Sequence, residues 1–194
     1  MSGRRFISDL TDAHSKGYIA KVPHFNSIFN YLEMPELTPV LVGLIMESSL
    51  PLKAVETDFA VDSTGFGSSR LTNWYSTKYG DVLDRRDWVK AHVCWGVKTN
   101  IVTAIRVTEL SAHDATFLPE LVQATSRNFT IAEVSADKGY SSRANTDAIG
   151  ALGATPYLAF KRNTRLEARY KPERVKDTLW TRMYHLYSFQ RESF

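Results

Sequence analysis

The sequence predicts an α/β domain, one mixed sheet covered by helices, behind a helical lead-in. Three observations predict it. An apolar run, Phe59-Ala60-Val61, ends in Asp62 and passes into Ser63-Thr64-Gly65. That is the pattern of a buried strand that brings a carboxylate to the rim of a sheet, where the chain turns away. Two alternating runs, Trp88 to Val97 and Ile101 to Val107, flank the polar turn Lys98-Thr99-Asn100 and read as an antiparallel hairpin. Beyond them helices and strands alternate, as parallel strands with crossover connections require.

Residues 1–50 read as the helical lead-in. Arg5 to His14 forms a first helix ended near Gly17, and Phe25, Ile28, Phe29 and Leu32 recur at helical spacing until Pro35. Thr38-Pro39 opens a third helix, a hydroxyl cap followed by proline at the first helical position, that runs to Pro51. Leu52 to Val61 is the first strand. Residues 67–87 form a long polar loop. On the Trp88–Val97 strand, alternation puts Ala91, Val93, Trp95 and Val97 on one face and Lys90, His92 and Cys94 on the other. Asp114 stands where a helix cap is wanted, ahead of a helix ending near Thr125. Ile131 to Ala136 is a short strand ending in Asp137-Lys138-Gly139-Tyr140. Ser141-Ser142 caps a helix from Arg143 to about Leu152, Thr155 to Phe160 is a further strand, and Asp177 to Phe194 is helical with Trp180, Met183, Tyr184 and Tyr187 on one face.

The chain of 194 residues is long enough for one domain with an appendage and a sizeable core. Its net charge of +3 is mild, but Thr155 to Phe194 carries nine basic and four acidic residues. A basic end on a near-neutral body favours an anionic partner. The one cysteine, Cys94, forms no internal disulfide and fits a reducing compartment. Pro39 to Met46, the longest apolar run, is far too short to span a membrane. No glycine-rich dinucleotide motif, Walker loop or zinc-ligand cluster is present.

Asp62 and Asp137, 75 residues apart, end similar strands. If those strands are parallel neighbours, the carboxylates emerge together. Two such groups repel, and a divalent cation removes the repulsion. Magnesium takes one or two carboxylates together with substrate phosphate, and paired ions about 4 Å apart serve phosphodiester cleavage. Each piece also fits a structural role: both aspartates as turn residues, His92 as a strand histidine, Lys161 to Lys176 as a solvated surface and the aromatic stripe of the last helix as core.

The combination of motifs resembles the DDE-type transposases of bacterial insertion sequences. The matching stretches are Ala60-Val61-Asp62-Ser63-Thr64-Gly65-Phe66, Trp88-Val89-Lys90-Ala91-His92, Lys98 to Ala104, His113-Asp114, Ser135-Ala136-Asp137-Lys138-Gly139-Tyr140-Ser141-Ser142, and Trp180 to Phe194. The resemblance implies an RNase H-like, five-stranded mixed sheet over residues 51–194, with its first and fourth strands parallel. It implies Asp62 and Asp137 as catalytic acids and ligands of Mg²⁺ or Mn²⁺. It also implies hydrolysis at transposon ends followed by transfer to target DNA. Lys90, Lys138, Lys161 and Arg162 are then the residues expected to meet nucleic acid. The implied partners are DNA and a second copy or a full-length transposase, with no membrane, in a cytoplasmic, nucleoid-associated setting.

One departure from the family bears on activity. Its third acid is a glutamate in a stretch resembling Tyr-His-Lys-Arg-Ser-Asn-x-Glu, and Glu192 lies in no such motif. The sequence therefore reads as a piece truncated before the catalytic glutamate, with impaired cleavage. A non-catalytic DNA-binding or transposase-associating remnant is the alternative, and another RNase H-like nuclease a third reading.

Overall fold

The computed structural model describes residues 3–67, 88–109, 111–164 and 177–189. The chain divides into two units, Met1–Leu44 and Ile45–Phe194. The first unit contains α1 (Gly3–Ser15), α2 (Phe25–Leu32) and most of α3 (Leu37–Ser49). Gly17 takes a φ of 77° and ends α1 where the sequence placed the stop. His24 caps α2 by accepting from the Asn26 amide at 3.3 Å. α3 starts at Leu37, so Thr38 lies within its first turn and is not the cap that the Thr-Pro pair predicts.

The second unit is built on a five-stranded sheet of order β3-β2-β1-β4-β5. Its strands are β1 (Asp58–Gly67), β2 (Trp88–Gly96), β3 (Val102–Glu109), β4 (Glu133–Ala136) and β5 (Thr155–Leu158). β1, β2 and β3 are antiparallel neighbours, whereas β1, β4 and β5 run parallel. The two parallel steps need crossovers. α4 (Leu118–Ser126) precedes β4, and α5 (Arg143–Ala151) joins β4 to β5. α6 (Leu179–Phe189) packs on α5 and β5. This is the RNase H-like arrangement that the resemblance implies.

The core lies between one sheet face and α4 and α5. Phe59 and Val61 of β1, Cys94 of β2, Val134 of β4 and Leu158 of β5 meet Leu118, Leu121 and Ile149 there. Each large apolar side chain so buried contributes about 1.5–3 kcal/mol. Cys94 pairs with Val61 across the ladder, which fixes the inward face of β2. His92 and Cys94 are fully buried, whereas Val93 and Trp95 are half-buried. The face assigned to Lys90, His92 and Cys94 is thus the inner one.

Two boundaries differ from the sequence reading. Leu52 to Thr57 is not strand: Leu50–Leu52 is a 3-10 turn, and β1 begins at Asp58. At the other end β1 runs through Asp62 to Gly67, because β2 stays paired with it throughout. Asp62 therefore sits within the strand, not where the chain turns away.

The irregular stretch before β1 has a structural purpose. Glu56 is fully buried, and its carboxylate accepts from the Thr99 amide at 2.9 Å, the Thr99 hydroxyl at 2.8 Å and the Lys98 amide at 3.2 Å. It thereby ties down the β2–β3 turn, where Asn100 adopts a φ of 56°.

Burial pushes the Cys94 thiol up to about 11, against the opposing hydroxyls of Thr125 and Thr103. The native state holds this proton more tightly than the unfolded chain does. The associated stability is full below the unfolded thiol value and is lost as pH rises through about 11. Urea unfolding is expected to show a decline of about 2–3 kcal/mol across that window. Cys94→Ala should flatten that part of the profile, and an unchanged slope would refute the assignment.

Candidate metal centre and nucleic-acid surface

The parallel ladder between β1 and β4 ends at the pair Val61↔Ala136. One residue further along each strand stand Asp62 and Asp137. Both are exposed, and alternation from the buried Val61 puts Asp62 on the sheet face opposite the α4–α5 core. The two acids that the sequence singled out therefore each follow directly on the last pair of the shared ladder.

The chain around Asp137 is shaped by the aspartate itself. Its Oδ1 accepts from the Gly139 amide at 2.7 Å, and its carbonyl accepts from the Tyr140 amide at 3.1 Å. This is an Asx-type turn. A Cβ on Gly139 would lie 2.8 Å from Asp137 Oδ1, so any larger residue there would displace that carboxylate. The turn carries Tyr140 back into the core, where its ring is fully buried. Burial first, then the charges of Asp114, Asp62 and Asp137, push the Tyr140 hydroxyl well above its ordinary value, against the opposing Ser63 hydroxyl. Three carboxylates thus act on one phenol.

Asp114 is not the helix cap that its position predicts. It lies in the 3-10 turn Asp114–Thr116 ahead of α4, whose flanking cap residue is His113. Its Oδ1 stands 2.6 Å from Lys90 Nζ and 3.6 Å from His92 Nδ1. His92 Nε2 shares a hydrogen bond of 2.9 Å with Thr108 Oγ1, and its ring lies 4.5 Å from that of Phe117. Burial lowers the His92 value, Asp114 opposing and Lys90 assisting. His92 is accordingly a neutral, structural strand histidine. Lys90 is held on Asp114 with 18 % of its side chain exposed.

Asn145 joins these two regions, and the sequence reading missed it. Its side-chain amide donates to the Ala115 carbonyl at 2.9 Å and to the Tyr140 carbonyl at 2.8 Å. The Ser142 cap, predicted from sequence, orients it by accepting from the Asn145 amide at 3.1 Å. Its place in the capped turn of a helix was the available signal. Asn145→Ala leaves two carbonyls without their donor and is expected to cost about 2–3 kcal/mol in urea unfolding. Asn145→Asp, which cannot donate, should be no better; a loss below 0.5 kcal/mol, roughly the level of a neutral surface change, would contradict the role.

The remaining predicted basic residues gather elsewhere along the same edge. Lys138, Lys161 and Arg162 are exposed and line one cavity of about 460 Å³ with Phe160, Tyr184 and Tyr187. The structure therefore groups Lys138, Lys161 and Arg162 and leaves Lys90 apart from them.

Two exposed carboxylates suit Mg²⁺ or Mn²⁺, which take oxygen ligands and complete their shell with water and phosphate. Among the described residues no group of three or more His, Cys, Asp or Glu side chains is arranged to hold a metal. Asp114, whose field also reaches Tyr140, is neutralised by Lys90. Asp62 and Asp137 are then the candidate donors, and Glu192 lies outside the described residues.

Fold and site define an RNase H-like domain with paired acids at the end of its central parallel ladder. The family model described as transposase DDE domain matches residues 53–191, and the chain belongs to that family. No curated protein matches it. Among solved structures it is similar to a chain of the simian T-cell lymphotropic virus intasome in complex with the PP2A regulatory subunit B56 gamma. That match has 9 % identity and a TM-score of 0.37, over 68 % of this chain and 48 % of the other. This chain therefore spans about half the length of that one. Among the described residues no helix is long and apolar enough to cross a membrane.

Proposed function

We propose that residues 51–194 form the catalytic domain of a DNA transposase, behind the helical lead-in of residues 1–50. In this reading Asp62 and Asp137 bind Mg²⁺ or Mn²⁺ for strand cleavage and transfer at transposon ends. The observation that carries the reading is the register Val61↔Ala136, which supports a paired-acid site one residue further on. A bound divalent ion supplies charge stabilisation at the scissile phosphate. The chain's own contribution is to hold both carboxylates on adjacent strands and to present Lys138 beside them for a neighbouring phosphate. In hydrolysis a water oxygen bonds to phosphorus as the bond to the 3′ oxygen breaks, leaving a 5′-phosphate, and the departing oxygen takes a proton to become the 3′-hydroxyl. In transfer that hydroxyl gives up its proton and bonds to a target phosphorus, while the target strand's own 3′ oxygen leaves and takes up a proton.

A carboxylate pair leaves most of the coordination shell to water and phosphate. Metal affinity should therefore be weak without DNA, and cleavage by this chain alone impaired. The partners are transposon-end and target DNA together with a second copy or a full-length transposase, in a nucleoid-associated cytoplasmic setting. The basic cavity lined by Lys138, Lys161 and Arg162 favours a second reading, a DNA-binding or transposase-associating protein without catalysis.

One experiment separates them. The purified chain is incubated with a duplex carrying the sequences that flank its gene, with and without Mg²⁺ or Mn²⁺. Metal-dependent nicking supports catalysis. Salt-dependent binding with no nicking in either metal supports the second reading.

A further inference from the structure

We infer that the cavity beside Asp137 binds an unpaired nucleotide of the DNA, with its base against Tyr184 and Tyr187 and its phosphate among Lys138, Lys161 and Arg162. The inference rests on the transposase reading only for its choice of DNA as the polymer.

The cavity has two chemically distinct walls. Lys138 leaves the end of β4, and Lys161 and Arg162 follow β5. Because Ala136 pairs with Leu158 in parallel register, both segments emerge at the same edge. Their three cations are exposed, none is ion-paired to a described residue, and among the described residues no carboxylate lines the cavity. That wall suits a phosphate.

The other wall is aromatic and held in place. Phe160 is buried, with Trp180 at 4.7 Å, Tyr184 at 5.3 Å and Tyr187 at 5.5 Å between ring centroids. The Tyr184 hydroxyl donates to the Thr164 carbonyl at 3.2 Å, which pins that ring across the mouth of the segment after β5. Tyr184 and Tyr187 remain only half-buried and face the cavity.

A volume of about 460 Å³ lies within the range of small-ligand sites. Paired duplex DNA would use only the cationic wall, because its bases are stacked inside the helix. An unpaired nucleotide uses both, a π-face on tyrosine and a phosphate on lysine or arginine, which is how single strands are gripped. Lys138 directly follows Asp137, so this nucleotide would flank the phosphate presented to the acids.

The test is fluorescence-anisotropy titration of the full chain, in EDTA, with two duplexes of mixed sequence. One is blunt and the other carries two unpaired nucleotides at one end. The unpaired end is expected to bind more tightly by on the order of tenfold. Tyr187→Ala should reduce the unpaired duplex to the level of the blunt one, while Tyr187→Phe should retain the preference. Thermal melting of each variant shows whether the fold survives. Equal affinity of the wild-type chain for the two duplexes would overturn the inference, as would a preference that persists in folded Tyr187→Ala. No divalent metal is present, so failure of the cleavage reading leaves this result intact, and loss of the preference says nothing against cleavage.

Discussion

Replacing Asp62 with asparagine is expected to lower Mg²⁺-dependent strand cleavage by at least about a thousandfold, with no loss of thermal stability. A metal-held charge at a phosphoryl oxygen is worth several kcal/mol in the transition state, and each 1.4 kcal/mol is about tenfold in rate. Asparagine keeps the shape and one oxygen but loses the charge that attracts the ion. Asp137→Asn should behave alike, because its retained oxygen still accepts from the Gly139 amide. The stability measurement carries as much information as the rate. Both side chains are exposed, so neutralising either should leave the melting temperature level. If Asp62 were an ordinary turn residue, its loss would lower stability and spare any activity. That pattern would sink the assignment.

The second large effect is purely structural. Glu56→Ala is expected to cost about 3 kcal/mol in urea unfolding, since it strands the part-buried donors of Lys98 and Thr99 that its carboxylate satisfies. Gly96→Ala should be comparably harmful, because a Cβ there would run into the Glu56 carboxylate. The two changes should be strongly non-additive, since alanine at position 56 removes the group that the new methyl meets. Additive losses in the double-mutant cycle would show that the close approach of Gly96 to Glu56 is not what restricts position 96.

The layers of this fold were readable because its strands and helices carry different periods. The hairpin of β2 and β3 alternates, and Ser142 announces its helix with a hydroxyl cap. Both aspartates were visible because each interrupts an apolar run beside a glycine or small residues. What could not be read from the sequence depends on neighbours distant along the chain. Nothing local says that β1 continues past Asp62; β2 decides that by pairing with it as far as Gly67. Glu56 looks like a surface acid until the turn at Lys98 and Thr99 closes over it. Asp114 has the right residue type for a cap, yet Lys90 and His92 claim it from across the sheet. Tyr184 and Tyr187 were read as core. They do pack on Phe160, but their outer surfaces also form one wall of the basic cavity.

The central strand changes company midway. Phe59, Ala60 and Val61 are laddered on both sides, to β2 and to β4, and from Asp62 on the strand is laddered to β2 alone. Asp62 is the first residue past that seam, and Asp137 is the first residue past the end of β4. Asp62 is held by β2 on one flank only, and Asp137 stands one peptide beyond β4. A backbone adjustment at either acid therefore has at most one ladder to oppose it.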